Sequence, residues 1–520
     1  MSSHKTDHSQ ATDLSEPTFE ESLDHVMQAR REKLERIKSL GVDPFPYDFD
    51  WTHTIAGVYD MWDSFKMPEV GVAQLEPQPR IAGRLVSMRL MGKAAFAHLQ
   101  DQDARIQVYF KKDAIGEEQW ELFKELDIGD IVGVQGYPFI TRTGERSLHV
   151  ESFTLLTKSL RPLPAVKEKG DQTWYRWDDK EERYRQRTID LIMNKDSRRT
   201  LLARSQIVTE LRTFFVEKGY VEVETPILQP LYGGASAKPF ITHHNALDRD
   251  FYLRIADELY LKRLVAGGIP RVFEIAKDFR NEGIDRLHSP EFSMLEAYAA
   301  YENYAFCMNL FEELLPRLAN KLYGKPVITW EGTEIELTPP FRRWQMPDAI
   351  REVTGIEVIG RRRDELAKEA DQHGVVITHE MGVGKIIDEL FSIAVQPLLI
   401  QPTFITDHPV ELSPLAKRHR TDPNLVERFE LFMGGMEVVN AFSELNDPID
   451  QRKRFEEQAR LRAAGDEEAA PIDEEFLAAL EVGMPPTAGL GMGVDRLVML
   501  LTDSHSIRDV ILFPLLRPRQ

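Results

Sequence analysis

The chain has 520 residues, a formal net charge of −20 and 42% hydrophobic residues, which predicts two to four domains with real cores. Its single cysteine, Cys307, excludes an internal disulfide and favours a reducing compartment. No stretch approaches the ~20 apolar residues of a membrane helix, and residues 1–25 lack the apolar centre of a secretory signal, so we expect a cytoplasmic protein without a membrane partner.

The first predicted elements are a disordered tail at residues 1–17 and a helical segment at residues 18–77. The tail is rich in Ser, Thr, Asp and His. A helix is predicted from Thr18, which Glu21 follows at capping-box spacing, to about residue 40. Gly41 and Pro44 are typical helix-ending residues.

Residues 78–157 form five short alternating runs separated by turn residues, with one helical stretch between the third and fourth runs. This order favours a five-stranded Greek-key barrel, the OB-fold, which commonly binds oligonucleotides. Sandwiches and SH3-like barrels give similar patterns. Between Arg80 and Lys112 seven cations stand against only Asp101 and Asp103, so this region can attract phosphates although the chain is acidic as a whole.

Residues 158–180 are interpreted as a linker, and residues 181–520 as a large mixture of helices and strands. RSQIVTELRTFFVEKG is amphipathic and predicts a helix that stops at Gly219. YVEVETPIL alternates and predicts a strand running into Pro226. GLGMGVDRLVMLLTD predicts a glycine turn followed by a helix.

Residues 271–301 predict an antiparallel strand–loop–strand, with Arg280 and Glu282 where the first strand meets the loop. A guanidinium fork suits a phosphate, and Phe292 on the returning strand could stack on a base. A surface hairpin with an Arg–Glu pair is the alternative, and the short hairpin alone favours it.

Residues 428–448 carry Glu430, Glu437, Asn440 and Glu444, which could line one side of a pocket. Paired carboxylates can hold Mg²⁺, with nucleotide phosphates completing the coordination. The alternative is a solvated acidic edge. These carboxylates lie among Phe, Leu, Met and Val, where an unpaired charge is costly, and this favours a functional role.

Three further patterns carry less information. The glycines of residues 489–493 allow close approach of a ligand before Arg496, although plain turn chemistry is an alternative. GVGK at 382–385 lacks the first glycine of a P-loop. His243 and His244 have no ligand-spaced partner and are interpreted as loop histidines, not as a zinc site.

Three segments together resemble a known family. VEVETPIL ending at Pro226, FRNEG at 279–283 and GMGVDR at 491–496 resemble motifs 1, 2 and 3 of the class II aminoacyl-tRNA synthetases. An OB-fold before such a core is the layout of the subclass that activates lysine, aspartate and asparagine. Residues 233–264, 408–419 and 429–458 are similar to the lysyl-tRNA synthetases.

The resemblance runs from about residue 20 to the C-terminus and implies an α+β protein, in which a five-stranded OB-fold barrel precedes a class II core of antiparallel sheet flanked by helices. It implies an ATP-dependent ligase that forms lysyl-adenylate and pyrophosphate and then transfers lysine to the 3'-terminal adenosine of tRNA(Lys). It further implies up to three Mg²⁺ ions per subunit and a homodimer formed around Pro226.

The resemblance also assigns roles to individual residues. A buried substrate ammonium needs a carboxylate, which Glu444 would supply beside Tyr298. The implied residues are Arg280 and Arg496 for catalysis; Arg280, Asn281, Glu282, His288, Phe292, Glu437 and Arg496 for ATP; Gly234, Glu258, Arg280, Tyr298, Asn440, Phe442 and Glu444 for lysine; Glu430 and Glu437 for Mg²⁺; and Arg84, Phe96 and Gln107 for the anticodon.

Two positions depart from the family pattern. Ser152 stands where the family often has a glutamate that contacts the anticodon, and Asp257 replaces the more usual proline or threonine beside a substrate residue. Two other functions stay open: a ligase that modifies a lysine of another protein, and a binding protein that has lost catalysis. The barrel argues against the first, and intact Arg280, Glu430, Glu437 and Arg496 argue against the second.

Overall fold

The computed structural model describes residues 19–64, 78–102, 104–164, 167–169, 172–174, 179–379, 381–463 and 471–519. The predicted tail at 1–17 and the cap at Thr18 lie outside these residues. The chain divides into two compact units, Met1–Arg176 and Trp177–Gln520. Within the described ranges, no helix has the length and apolar character needed to cross a membrane.

The first unit contains a long helix and a small barrel. The helix covers the segment for which the sequence predicts one and ends before Gly41, whose φ of +76° lies in the left-handed region. The elements of this unit are α1 (Phe19–Ser39), α2 (Ile55–Asp60), β1 (Arg80–Met91), β2 (Ala94–Gln100), β3 (Arg105–Lys111), α3 (Lys112–Ile115), α4 (Glu117–Lys124), β4 (Ile131–Ile140), β5 (Arg146–Thr157), β6 (Lys167–Lys169) and β7 (Gln172–Trp174).

Five strands close the barrel in the order β1–β2–β3–β5–β4. β3 and β5 pair in parallel, and the other neighbours are antiparallel. Alternate residues of β2 and β3 point inward, such as Leu99 and Val108, which are fully buried. Because α4 separates β3 from β4 and the sheet is closed, the predicted OB-fold is confirmed and the alternative of a sandwich is excluded.

The second unit alternates helices with mostly short strands. Its elements are α5 (Lys180–Arg185), α6 (Arg187–Met193), α7 (Lys195–Glu217), β8 (Val221–Glu222), β9 (Leu228–Gln229), β10 (Ile241–His244), β11 (Arg249–Leu253), α8 (Glu258–Ala266), β12 (Arg271–Phe279), β13 (Glu291–Ala300), α9 (Tyr304–Tyr323), β14 (Val327–Trp330), β15 (Thr333–Glu336), β16 (Arg342–Gln345), α10 (Met346–Thr354), α11 (Arg363–Asp371), α12 (Val383–Ala394), β17 (Thr403–Thr406), β18 (Arg428–Met433), β19 (Met436–Ser443), α13 (Pro448–Ala463), α14 (Glu474–Gly483), β20 (Thr487–Gly493), α15 (Val494–Leu501) and α16 (Ile507–Val510).

An eight-stranded sheet in the order β16–β17–β18–β19–β20–β13–β12–β8 forms the centre of this unit. The six strands from β17 to β12 are antiparallel, whereas β16 and β8 join in parallel at the two edges. One face packs on α7, α9 and α15 around residues such as Phe215, Leu295 and Phe311. The opposite face holds the polar residues of the candidate site.

Three predictions about strands and loops were wrong in detail. The glycine segment that predicted a turn is the central strand β20, flanked by β13 and β19. The YVEVETPIL segment forms only the short strands β8 and β9, because Pro226 between them lacks the N–H that a ladder needs. His243 and His244 are likewise not in a loop but in β10, which pairs with β11.

Candidate functional site

A row of four residues crosses the polar face of the sheet. Glu296 of β13 pairs in register with Gly491 of β20, Gly491 with Asn440 of β19, and Asn440 with Glu430 of β18. Residues in register on neighbouring strands point to the same face, so three side chains and one glycine line a continuous floor. The segments 271–301, 428–448 and 489–493 therefore meet at one place. Glu296, for which the sequence predicted no role, lies there as well.

A second row lies one step along the same strands and contains Tyr298, Gly489 and Phe442. A Cβ at Gly489 would lie 2.5 Å from the Tyr298 ring and would overlap the carboxylate of Glu444. The glycine is therefore needed for Glu444 and Tyr298 to meet above the sheet. The Tyr298 hydroxyl donates to Glu296 Oε2 at 3.0 Å.

The start of α8 closes one side of this pocket. Glu258 is the first residue of the helix, and Gly234 packs so near that an added Cβ would lie 3.1 Å from Glu258 Cβ. One helical turn later, the ammonium of Lys262 forms ion pairs with Glu258 and Glu444. Lys262 was not predicted as a site residue, although its spacing of four residues from Glu258 places both on one helix face.

Burial dominates the electrostatics of the pocket. Glu444 and Glu258 are almost completely shielded from solvent, and burial raises the pKa of both carboxyls. Burial, together with Asp278 and Glu258, raises the pKa of Glu296 to about 8. A cation placed among these carboxyls would favour their charged forms, so the pocket is suited to a positively charged ligand.

A second buried acidic group lies beside this pocket. Oxygens of Asp257, Asp278 and Glu296 lie within 4.8 Å of one another and could hold a metal ion. The guanidinium of Arg254 approaches Asp257 at 2.9 Å and also pairs with Glu274. Burial and Asp278 raise the pKa of Asp257 to about 10. A proton could therefore neutralise this acidic group in place of a metal ion.

The hairpin of β12 and β13 presents an arginine to the site. Arg280 follows β12, and its guanidinium lies 5.0 Å from the centroid of the Phe292 ring. Its buried Nε has no hydrogen-bond partner among the described residues. The stacked guanidinium thus keeps donors free for an anionic ligand. Asn281 and Glu282 lie in the exposed loop that follows.

A second arginine is fixed at the start of α15. Arg496 donates to the Glu437 carbonyl at 3.0 Å and to His288 Nε2 at 3.2 Å. Because a guanidinium can only donate, His288 Nε2 accepts and its Nδ1–H donates to Asp285 Oδ2 at 2.8 Å. Asp285 is another residue the sequence analysis did not single out.

The two carboxylates predicted to bind metal lie on the neighbouring strands β18 and β19. Glu430 pairs with Arg428 and Glu437 with Arg496. Burial, and then Glu437, raises the pKa of Glu430 to about 7. A bulge between Leu431 and Phe432 shifts the register so that Glu437 reaches the edge of the polar face. Each carboxylate is paired with one arginine, and the carboxylate oxygens are of the type that Mg²⁺ prefers.

On the barrel, the predicted anticodon residues do not all lie together. The Phe96 ring packs 4.8 Å from Tyr109, and Gln107 on the next strand donates to Glu145 Oε2 at 2.7 Å. Arg84 instead donates to the Gly129 carbonyl at 2.7 Å, at the other end of β1. The exposed residue across from Phe96 on β1 is Arg89, which the sequence analysis counted only as a charge.

The chain is similar to known families over nearly its full length. Residues 179–517 match the family described as tRNA synthetases class II (D, K and N), and residues 80–156 match the OB-fold nucleic acid binding domain. A protein of Enterococcus faecalis named lysine–tRNA ligase is 50% identical over 498 residues, covering 96% of this chain and 98% of that protein. Proteins of the same name from Carboxydothermus hydrogenoformans and Staphylococcus saprophyticus are 49% and 48% identical, each over 96% of this chain and 99% and 100% of the relative.

Proposed function

Because the chain belongs to the lysine–tRNA ligases among the class II tRNA synthetases, we propose that it activates L-lysine with ATP and transfers it to tRNA(Lys). The observation that carries this proposal is the buried carboxylate of Glu444, which meets Tyr298 over Gly489 at the floor of the pocket. A carboxylate there suits the ε-ammonium of lysine, whereas aspartate would need a cation in the same place.

The remaining pocket residues match the other end of lysine. Glu258 beside Gly234 takes the α-ammonium, and Arg280 takes the carboxylate together with the α-phosphate of ATP. Asn440 lies next to the carboxylate, and Phe442 forms a wall for the aliphatic chain. Attack by a lysine carboxylate oxygen on the α-phosphorus needs no protein nucleophile, because the arginines stabilise the charge that develops.

We assign Arg496 and His288 to the terminal phosphates, and Phe292, Asn281 and Glu282 to the adenosine. The bond from Arg496 to the Glu437 carbonyl fixes the guanidinium before ATP arrives. Glu430 and Glu437 would hold Mg²⁺, up to three ions with ATP, which would neutralise phosphate charge. The adenylate then passes lysine to the terminal adenosine of the tRNA. The tRNA substrate and the single cysteine support a cytoplasmic location.

Amino-acid-dependent exchange between ATP and pyrophosphate, followed by tRNA charging, tests this function. We expect exchange with lysine and not with aspartate or asparagine, and charging of tRNA(Lys). Exchange without charging of any tRNA would favour a ligase that modifies another protein. Absence of lysine-dependent exchange would favour a binding protein without catalysis.

The proposal includes a homodimer formed around Pro226. Apolar side chains near Pro226 are unusually exposed, and for Ile227, Leu228 and Ile241 the exposed fractions are 44%, 49% and 64%. Such a concentration of exposed apolar surface is typical of an interface. The short strands β8 and β9 leave backbone groups that a second copy can pair.

We expect sedimentation at micromolar concentration to give a species of twice the 59.8 kDa chain mass. Leu228→Asp should convert it to a monomer, because a charge would be buried at the interface. Val376→Asp is the control, since Val376 is 79% exposed and distant in sequence from the predicted interface. A wild-type monomer would contradict the proposal.

The barrel is assigned to the anticodon. Phe96→Ala should lower tRNA charging by about one to two orders of magnitude and leave pyrophosphate exchange nearly unchanged, because stacking on one base contributes ~1–3 kcal/mol. Phe45→Ala is the matched control, since Phe45 is an exposed phenylalanine that lies before the strands of the barrel. Equal losses of exchange and charging in Phe96→Ala would exclude the anticodon role.

A further inference from the structure

Lys262 lies at the centre of the amino-acid pocket, although no role follows for it from the proposed function. It is 1% exposed, and its ammonium pairs with both Glu258 and Glu444. The same ammonium lies 5.3 Å from the ring centroid of Phe442 and 6.0 Å from those of Tyr298 and Phe476. The protein thus places its own lysine ammonium between the two carboxylates proposed to hold the two ammonium groups of the substrate.

The charges of the pocket can be counted. Three buried carboxyls, Glu258, Glu296 and Glu444, face the pocket, and among the described residues Lys262 is the cation that forms ion pairs with Glu258 and Glu444. If all three carboxyls are ionised, Lys262 compensates one, and two negative charges remain. Free lysine carries two ammonium groups, and its carboxylate is directed to Arg280. The charges balance when lysine is bound and Lys262 stays protonated.

We propose that Lys262 is a positioning residue, an internal counter-ion that holds Glu258 and Glu444 and fixes at two the number of cationic groups the pocket accepts. This inference rests on the proposed lysine activation and deepens it. Lys262 acts through the two glutamates and does not itself touch the reacting atoms. Selectivity for a doubly cationic amino acid therefore depends on a lysine of the enzyme as well as on its carboxylates.

Packing indicates that the substrate does not displace Lys262. Glu258 and Lys262 lie four residues apart on α8, so their ion pair is built into one rigid helix. The ammonium lies within 6.0 Å of the centroids of three aromatic rings, and α8 packs against α14 in an apolar cluster that contains Leu261 and Leu477. A buried lysine that left these carboxylates would need another partner in an apolar surrounding.

The inference predicts how lysine use depends on pH. Lysine needs ionised carboxyls, whose pKa values burial raises, so kcat/KM for lysine should rise with pH through those pKa values. Lys262 lowers the pKa of Glu258 and Glu444, and its removal should move the rise to higher pH. Among the described residues, the other titratable or charged groups that face these carboxyls are Glu296 and Tyr298 on β13, Cys307 on α9 and Arg428 on β18.

The test measures lysine-dependent pyrophosphate exchange against pH for wild type, Lys262→Met and Lys262→Met/Glu258→Gln. Lys262→Met should lower kcat/KM for lysine at least tenfold at neutral pH and shift the rise by about one pH unit, since one pKa unit is tenfold in protonation. KM for ATP should change less than about twofold. Lys321→Met, an exposed lysine on α9, is the control for loss of a positive charge.

The double variant removes one charge of each sign and restores the balance. Its pH profile should return towards that of wild type, while KM for lysine stays high because Glu258 no longer holds the α-ammonium. If Lys262→Met does not fold, the double variant alone tests the inference. A pH profile of the double variant that is displaced from that of wild type would then overturn it. Melting curves show whether Lys262→Met folds.

Two further results would contradict the inference. An unchanged pH profile in Lys262→Met would reduce Lys262 to a structural brace, and a lower KM for lysine would make it a competitor of the substrate. Both results differ from a failure of the proposed function. In that case the wild-type protein would show no lysine-dependent pyrophosphate exchange.

Discussion

Glu444→Gln is expected to lower kcat/KM for lysine by two to three orders of magnitude while KM for ATP stays near the wild-type value. Glutamine keeps the shape of the side chain and removes its charge. A buried ammonium that loses its counter-charge costs roughly 3–5 kcal/mol, against ~1 kcal/mol for a neutral hydrogen bond. Glu444 is 1% exposed, so solvent cannot replace the lost charge. Pyrophosphate exchange over a range of lysine concentrations measures the effect.

The alternative role of Glu444 is to brace the ELNDP turn. Norleucine separates the two roles, because it lacks the ε-amine and should be used equally poorly by both proteins. Glu427→Gln is a matched control, since Glu427 is also buried but pairs with Arg420. If Glu444 only braces the turn, Glu444→Gln should melt at a lower temperature and both amino acids should suffer alike. Wild-type kinetic constants for lysine would exclude the proposed role.

Local patterns predicted the parts of the site that lie on one hairpin. The alternating runs on either side of the FRNEG loop placed Arg280 and Phe292 correctly on a strand–loop–strand. The contact between the guanidinium and the ring was not predicted and is seen only in the structure. The apolar neighbours of Glu444 likewise indicated burial. Each of these features depends on residues close in sequence, and in each the side-chain period of the strand carries the information.

Contacts between distant segments could not be predicted in this way. Glu296 gains its place from register across β13, β20 and β19, and Lys262 from the approach of α8 to Glu444. The glycine segment was misjudged for the same reason. Gly489 looks like a turn residue until the structure brings Tyr298 and Glu444 to either side of it, where no side chain fits.

In the barrel, too, contacts between strands could not be predicted from local patterns. Arg84 and Arg89 lie on one strand, and the resemblance implied Arg84 as one anticodon candidate beside Phe96 and Gln107. In the structure Arg84 bonds to Gly129, while Arg89 is the exposed residue in register with Phe96. Which arginine shares an end of the barrel with Phe96 depends on strand pairing, and no spacing within β1 reveals it.

Arg280→Lys should reduce lysine-dependent pyrophosphate exchange by about two to three orders of magnitude, the usual cost of removing a group that stabilises developing charge. Lysine keeps the positive charge but offers a single ammonium in place of a planar fork, and it cannot stack on Phe292 in the same way. The loss should appear in kcat and in KM for both ATP and lysine, because Arg280 is proposed to bind both substrates.

Arg286→Lys is the matched control for this change. Arg286 lies in the same loop, is mostly exposed and pairs with Glu331, so a lysine can replace it and exchange should fall less than about threefold. An Arg280→Lys protein with near-wild-type exchange would mean that charge alone is enough at this position. The free, buried Nε of Arg280 argues otherwise: a donor held without a partner in the described structure is available for the α-phosphate or the lysine carboxylate, and an ammonium on a flexible chain cannot supply it at that place.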